Sequence, residues 1–319
     1  MPNLSNEQIQ EIINRLIEFQ KNNPASISSD RAIGNNTGYS ATTINQFKNG
    51  KYPASNSLSE IALKVANYLD NVTAAAQNNL NRGTLKFAMT TAASQIFKTA
   101  HYALMHGTIG VITGVPGCGK TIAVKEFKRR NPTSILIEVT PLVTRRSLIE
   151  DICSELKIPL YFYKNGNSAP VSANELFRNI VNVLKGTKRL LIIDEGENLN
   201  VPCLEIIRRI QDFTEIGILL SGTSRLLDRL RGTRKELQQL FSRVGYQKEI
   251  KTLELDDVKA ILAVNYPEAQ KFAATFLSLS KHNGRYLQHL ISLVKKTTNE
   301  TGEPLSDDLI DSAASSLLT

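Results

Sequence analysis

The sequence predicts an α/β protein: a parallel sheet carrying a phosphate loop, preceded by an all-helical domain and followed by a helical one. Three observations predict it. Apolar runs (GTIGVIT, SILIEVT, RLLIIDE and EIGILLSG) alternate with helical patterns between residues 107 and 222, as strands of a parallel sheet covered on both faces do. The stretch GVPGCGKT, residues 114–121, sits between one such strand and a helix and has phosphate-loop spacing. Residues 1–70, and everything from Leu255 onward, read in the helical period alone. The expected division is therefore 1–75, 76–250 and 251–319.

The N-terminal domain opens with Ser5 as N-cap and an apolar face of Ile9, Ile12, Ile13, Leu16 and Ile17, spaced as one side of a helix. SISSDRAIGNNTGYSATTINQFKNGKYP (26–53) then reads as a short helix near 29–35, a turn at Thr37-Gly38-Tyr39, and a second helix capped by Ser40 and closed near Gly50. A further helix carries Leu58, Ile61, Ala62, Val65 and Leu69. Two short helices around a glycine turn, braced by flanking helices, form a helix-turn-helix pattern. Its second helix would offer Thr42, Thr43, Asn45, Gln46 and Lys48 to a DNA groove. The same pattern also serves as a plain protein-contact module. NVTAAAQNNLNRGT (71–84) has no apolar stripe and reads as the connector.

In the central segment the expected order is helix 85–105, strand, phosphate loop, helix 120–130, strand and helix 145–157. A loop IPLYFYKNGNSAP follows, then helix 172–185, strand, helix 201–214, strand, short helices over 224–242 and a strand near 246–250.

Composition narrows the function classes. With 41% hydrophobic residues the chain can build cores and is not a disordered chain. No apolar run approaches the roughly 20 residues that span a bilayer, and the polar start MPNLSNEQIQEI is unlike a signal peptide. Cys118, Cys153 and Cys203 lack disulfide or metal spacing, and the four histidines form no ligand set, so a reduced cytoplasmic setting is expected. The net charge of +8 is uneven: Lys+Arg against Asp+Glu is 6 to 6 in residues 1–80, 25 to 15 in 81–250, and 7 to 9 in 251–319. A polyanion surface in the central segment accounts for that excess most simply; a solvated basic face is the alternative.

Gly114, Gly117 and Gly119 free the backbone to turn its N–H groups around phosphates, and the following helix adds its positive end. Lys120 then reaches the β/γ-phosphates and the Thr121 hydroxyl ligates Mg²⁺. The cofactors expected are thus ATP and Mg²⁺, held by Gly114, Val115, Pro116, Gly117, Cys118, Gly119, Lys120, Thr121 and Ile122. LLIIDE (190–195) supplies the partner carboxylates: Asp194 for the metal and Glu195 as general base for the attacking water. Together these features predict an ATP hydrolase.

These motifs, with the polar strand end ILLSGTS, the FSR at 241–243 and the helical C-terminal domain, resemble the AAA+ ATPases. More narrowly, a helix-turn-helix followed by VITGVPGCGKT, EVTP, LLIIDE, IGILLSGTSRLL and LFSRVG is similar to the family of the phage Mu transposition protein B, over nearly the whole chain. The resemblance implies an ATP-dependent protein that binds double-stranded DNA with little sequence preference. It implies head-to-tail homo-oligomers, filament or ring, delivery of target DNA to a transposase, stimulation of that transposase, and release by ATP hydrolysis. By position, Thr223 or the nearby Ser221 matches sensor 1, Arg243 the arginine finger, and Arg285 sensor 2, although the family's arginine lies further from its glycine than Arg285 from Gly284. Arg145, Arg146 and Lys164 match the DNA-contact region; Arg208 and Arg209 read instead as a solvated helix face. A helicase loader or replication initiator would share every nucleotide residue, and a transcription regulator switched by ATP would share the helix-turn-helix.

Overall fold

A computed structural model of the chain describes residues 4–52, 58–81, 85–164, 167–231 and 235–317. It divides into two compact units, Met1–Thr84 and Leu85–Thr319.

The first unit is helical: α1 (Asn6–Asn22), α2 (Ala25–Ser28), α3 (Asp30–Thr37), α4 (Ala41–Lys48) and α5 (Leu58–Asn81). Ser5 and Gln8 close a capping box on α1, and Ser29 and Ser40 cap α3 and α4 through their hydroxyls. Gly38 ends α3 at φ +80°, a conformation that glycine adopts without the Cβ penalty. The chain then turns straight into α4. Ile12, Ile13, Leu16, Ile33, Ile44, Phe47, Ile61, Val65 and Leu69 form the core. α5 runs unbroken to Asn81, through most of the expected connector. The alanines there favour helix without needing a buried face, and an apolar stripe reports burial only.

The second unit begins with an extended segment, not a helix, at 85–90. It is held by the helical domain at the far end of the chain. Asn265 donates to the Lys86 carbonyl at 3.0 Å and accepts the Lys86 N–H at 2.6 Å. Asp257 accepts the Thr91 N–H at 2.7 Å. The elements that follow are α6 (Thr91–His106), β1 (Ile109–Gly114), α7 (Lys120–Arg130), β2 (Ile135–Glu138) and α8 (Arg145–Glu155). A hairpin of β3 (Tyr161–Lys164) and β4 (Asn167–Pro170) takes the place of the expected loop, pairing antiparallel. Next are α9 (Ala173–Leu184), β5 (Leu190–Asp194), α10 (Val201–Thr214), β6 (Gly217–Gly222), α11 (Ser224–Leu230), α12 (Lys235–Phe241) and β7 (Val244–Ile250). The C-terminal lid is α13 (Leu255–Asn265), α14 (Ala273–Leu279), α15 (Gly284–Thr301) and α16 (Asp307–Leu317), with its own core around Val258, Leu262, Phe276, Leu290, Ile291 and Ile310.

The five-stranded sheet has the order β2-β5-β6-β1-β7, all pairings parallel. β1, β5 and β6 are buried along their whole length, which is why their sequences are continuous apolar runs and not alternating ones. One face packs Val111, Ile193 and Leu220 under α8, α9 and α10. The other packs Ile112, Ile192 and Leu219 under α6 and α7. On that second face the small residues of α6 permit close approach. A Cβ at Gly217 would lie 2.4 Å from the Ala103 carbonyl oxygen.

Much of the basic excess on α7 is neutralised locally. Glu126 accepts from Arg129 and Arg130, and those two guanidinium groups hold its carboxyl down to about 2. Lys125 and Lys128 pair with Glu138 and Glu155.

Candidate nucleotide site

The phosphate loop leaves the C-terminal end of β1 and enters α7 through two glycines in the left-handed region, Gly117 at φ +83° and Gly119 at φ +93°. Only there does the backbone reverse without side-chain strain. Gly114 is fixed by space: a Cβ would stand 2.8 Å from the Ile250 carbonyl oxygen and 3.0 Å from Cys118 Sγ. Cys118 itself is buried and fills the underside of the loop. Val115 and Ile122 are exposed at its rim. The Lys120 ammonium lies back over the loop, donating to the carbonyls of Gly114 at 2.7 Å and Val115 at 3.0 Å.

β6 separates β1 from β5, so the end of β6 lies between the loop and Asp194. Asp194 is buried; its Oδ1 accepts from Ser221 Oγ at 2.8 Å. Its Oδ2 is buried with no partner among the described residues. A charged oxygen left without a donor in the interior is costly. That orphan atom fits a cation beside the phosphate loop, directly or through water, with the half-buried Thr121 hydroxyl at the start of α7 as second donor. The residues present therefore fit both a nucleotide and Mg²⁺.

Glu195 follows at φ +55°, a conformation uncommon for residues other than glycine. Its side chain is exposed. Asn198, in the short turn Gly196–Asn198, donates to Glu195 Oε2 at 3.4 Å and to the Val139 carbonyl at 3.0 Å. Glu197 accepts the Thr223 N–H at 3.2 Å. The two sensor-1 candidates are thus in different settings. Ser221 touches Asp194, whereas Thr223 begins α11 with its hydroxyl buried and unpartnered among the described residues.

The lid reaches the loop through Asn283 and Gly284, the two residues before Arg285. The Gly284 N–H donates to the Gly117 carbonyl at 2.8 Å, and the Asn283 side chain donates to the Pro116 carbonyl at 3.4 Å. A Cβ on Gly117 would collide with Asn283 at 2.3 Å. Asn283 also caps α15 by accepting the Arg285 N–H. The Arg285 side chain is exposed. The cap is legible as Asn before Gly; its docking on a loop 167 residues earlier is not.

The remaining arginines divide by partner. Arg243 pairs with Asp212 Oδ1 at 2.7 Å rather than with Glu249. Asp212 also pairs with Arg208, and Glu205 with Arg208 and Arg209, so the charges of α10 are largely balanced among themselves. Arg145 begins α8 and is exposed, while Arg146 is paired with Glu150 at 2.5 Å. Lys164 ends β3, but its side chain lies outside the described residues. In the first unit, Thr42 and Gln46 are exposed on α4. Thr43 is bonded to the Ser40 hydroxyl, and Lys48 and Asn45 both bind Asp30. The carboxyl of Asp30 is held below the usual range; burial opposes that, and its hydrogen bonds from Gln20, Asn45 and Lys48 outweigh it.

An AAA domain family model matches residues 103–230. The ATP-dependent target DNA activator B of Escherichia phage Mu is 29% identical over 287 residues, covering 89% of this chain and 88% of that protein. The Mu-like prophage FluMu DNA transposition protein B of Haemophilus influenzae is 28% identical, covering 72% and 77%. Among solved structures, the Aeropyrum pernix ORC2 protein in ADPNP-ADP complexes superposes with a TM-score of 0.54, at 15% identity, over 74% of this chain and 71% of that one. The chain therefore has the AAA+ P-loop fold, with an AAA domain over residues 103–230, and is similar along most of its length to the phage Mu target DNA activator B.

Proposed function

We propose that the protein is an ATP-dependent DNA-binding regulator of transposition, an AAA+ ATPase that assembles head to tail on target DNA and presents it to a transposase. The observation that carries the ATPase half is the buried Asp194 with one free oxygen beside a glycine-built loop. The relation to the target DNA activator B proteins carries the DNA half.

In this reading the loop amides and the α7 N-terminus bind the phosphates. Lys120 exchanges its loop carbonyls for phosphate oxygens, a stronger charge-assisted bond. Mg²⁺, when bound near Asp194 and Thr121, supplies charge neutralisation on the phosphates. Glu195 accepts the proton of a water that attacks the γ-phosphorus as the bond to the β–γ bridging oxygen breaks. Ser221 holds Asp194 in place, and Thr223, with its free hydroxyl, is the sensor for the γ-phosphate. Arg285, exposed at the start of α15, completes the site from the lid. DNA lies against Arg145 and Arg146, with Lys164 of the hairpin and with Thr42, Thr43, Gln46 and Lys48 of α4 as further contacts. No described helix is long and apolar enough to cross a membrane.

Lys120→Ala abolishes ATP affinity and ATP-dependent DNA binding together, whereas Glu195→Gln keeps both and loses turnover. Gel-shift and phosphate-release assays read the pair; wild-type turnover in Glu195→Gln would remove the base from this scheme.

Arg145→Ala flattens the slope of log K against log salt for duplex binding by about one unit for each phosphate it no longer neutralises. Arg146→Ala, already paired with Glu150, changes it less. An unchanged slope in both takes α8 out of the DNA interface.

Arg243, released from Asp212, acts on a neighbour's nucleotide, where such fingers are worth on the order of 10³–10⁵ in rate. Arg243→Ala and Glu195→Gln are then each inactive alone. Mixed equally on DNA, about a quarter of head-to-tail interfaces join a sound site to an intact finger and hydrolysis returns. Co-assembly without recovery of activity would count against a finger supplied in trans.

A further inference from the structure

The basic excess of the central segment is not handled alike on every helix. The arginines of α7 and α10 have carboxylates on their own helices, at Glu126, Glu205 and Asp212. Residues 176–193 are different: they hold Arg178, Lys185, Lys188 and Arg189 and no aspartate or glutamate. Among the described residues none of the four has an ion pair or a side-chain hydrogen bond, although Glu175 stands only three positions before Arg178. Arg178, Lys185 and Lys188 are exposed and Arg189 is half-buried.

Helix α9 sets this display. Its buried stripe is Leu176, Ile180 and Leu184. At 3.6 residues per turn, Arg178 and Lys185 fall within about 20° of each other on the opposite side, about 10 Å apart along the axis. The helix stops at Lys185 and the chain turns through Gly186 at φ +72°. Thr187 closes that turn, giving its N–H and its hydroxyl to the Leu184 carbonyl at 3.0 and 2.6 Å. Lys188 and Arg189 then lead straight into the buried strand β5. The cations therefore stand on fixed backbone.

The helix dipole favours a cation at the end of α9, which accounts for Lys185. That effect fades within the last turn, so it does not reach Arg178 at mid-helix. Like charges gathered without a counter-charge raise the free energy of the folded chain, and an anionic partner relieves them. Their spread along a ridge suits a run of phosphates better than one small anion. We infer that Arg178, Lys185 and Lys188, with Arg189 beside them, form a second duplex-DNA surface that grips the phosphate backbone without reading bases. Its far end, at Arg189, lies about 20 Å along β5 from Glu195, away from the nucleotide site. This inference rests on the proposed DNA-binding function and adds a place where the duplex is held.

The test is the slope of log K against log salt for ATP-dependent binding of the full chain to a duplex of arbitrary sequence. Wild type is compared with Arg178→Gln alone and with the triple variant Arg178→Gln/Lys185→Gln/Lys188→Gln. A control removes three exposed lysines of the lid, Lys259→Gln/Lys271→Gln/Lys296→Gln. At about 0.9 unit for each phosphate contact, the single variant flattens the slope by about one unit and the triple by two to three. The control stays at the wild-type slope, and DNA-free ATP turnover and thermal melting of the triple variant match wild type. A wild-type slope in the triple variant overturns the inference and leaves a solvated ridge; Arg145→Ala then shows separately whether the DNA reading stands. Equal flattening in the control also overturns it, because net charge alone would then be at work. Loss of ATP-dependent self-assembly with an unchanged slope assigns the ridge to a second copy of the chain, and overturns it as a DNA surface. A wild-type chain that binds no duplex sinks the DNA reading itself, and the inference with it.

Discussion

The nucleotide site depends on one buried carboxylate. Asp194 ends a strand of four apolar residues, inside a sheet covered on both faces, where an uncompensated charge costs several kcal/mol. The protein compensates half of that charge with the Ser221 hydroxyl and leaves the other oxygen without a donor among the described residues. Much of the surrounding arrangement follows from this. Ser221 must sit opposite Asp194, which fixes β6 between β5 and β1. β1 must then deliver the glycine loop to the same end of the sheet, so that a cation can be shared by the carboxylate and the phosphates. Ligands in open parallel sheets bind beyond the carboxyl ends of the strands for this topological reason.

Polar contacts join further segments around the site and to one another. Asn198 and Asn200 fasten the loop after β2. Asn283 and Gly284 bring the lid onto the phosphate loop. Asn265 and Asp257 bind the entry segment at 86–91 to the same lid. The lid is thus held by the chain leading into α6 as well as by the loop it covers, and any change at the phosphates bears on both attachments. The arginine of the proposed finger is stored on Asp212 within its own chain. An intramolecular ion pair at a half-exposed site is weak, so a stronger acceptor on a neighbour can take the guanidinium from it.

The parts legible in the sequence are those with local causes. Continuous apolar runs mark the buried strands, serine caps mark α1, α3 and α4, and the glycine spacing of the loop marks both its turn and its ligand. The far end of helix α5 and the β3–β4 hairpin are not legible, because an apolar face is the usual signal and neither segment needs one to adopt its backbone. The polar joints are illegible for a different reason. Asn198 to Val139 spans 59 residues, and Asn283 to Pro116 spans 167; no local pattern records such pairs. Charge is legible as an amount but not as a distribution. The central segment does hold a basic excess, yet Glu126, Glu205 and Asp212 absorb much of it. That leaves Arg145 as the exposed arginine of the predicted pair on α8.

We propose that the free oxygen of Asp194 serves a magnesium ion held with ATP. Titration of Mg²⁺ into the complex with a fluorescent, non-hydrolysable ATP analogue, for wild type and Asp194→Asn, tests it most directly. Asparagine preserves the shape and an acceptor for Ser221 while removing the charge. Mg²⁺ is then expected to tighten analogue binding at least tenfold in the wild type, about 1.4 kcal/mol, and to have little effect in the variant. Equal magnesium dependence in the two proteins would contradict it.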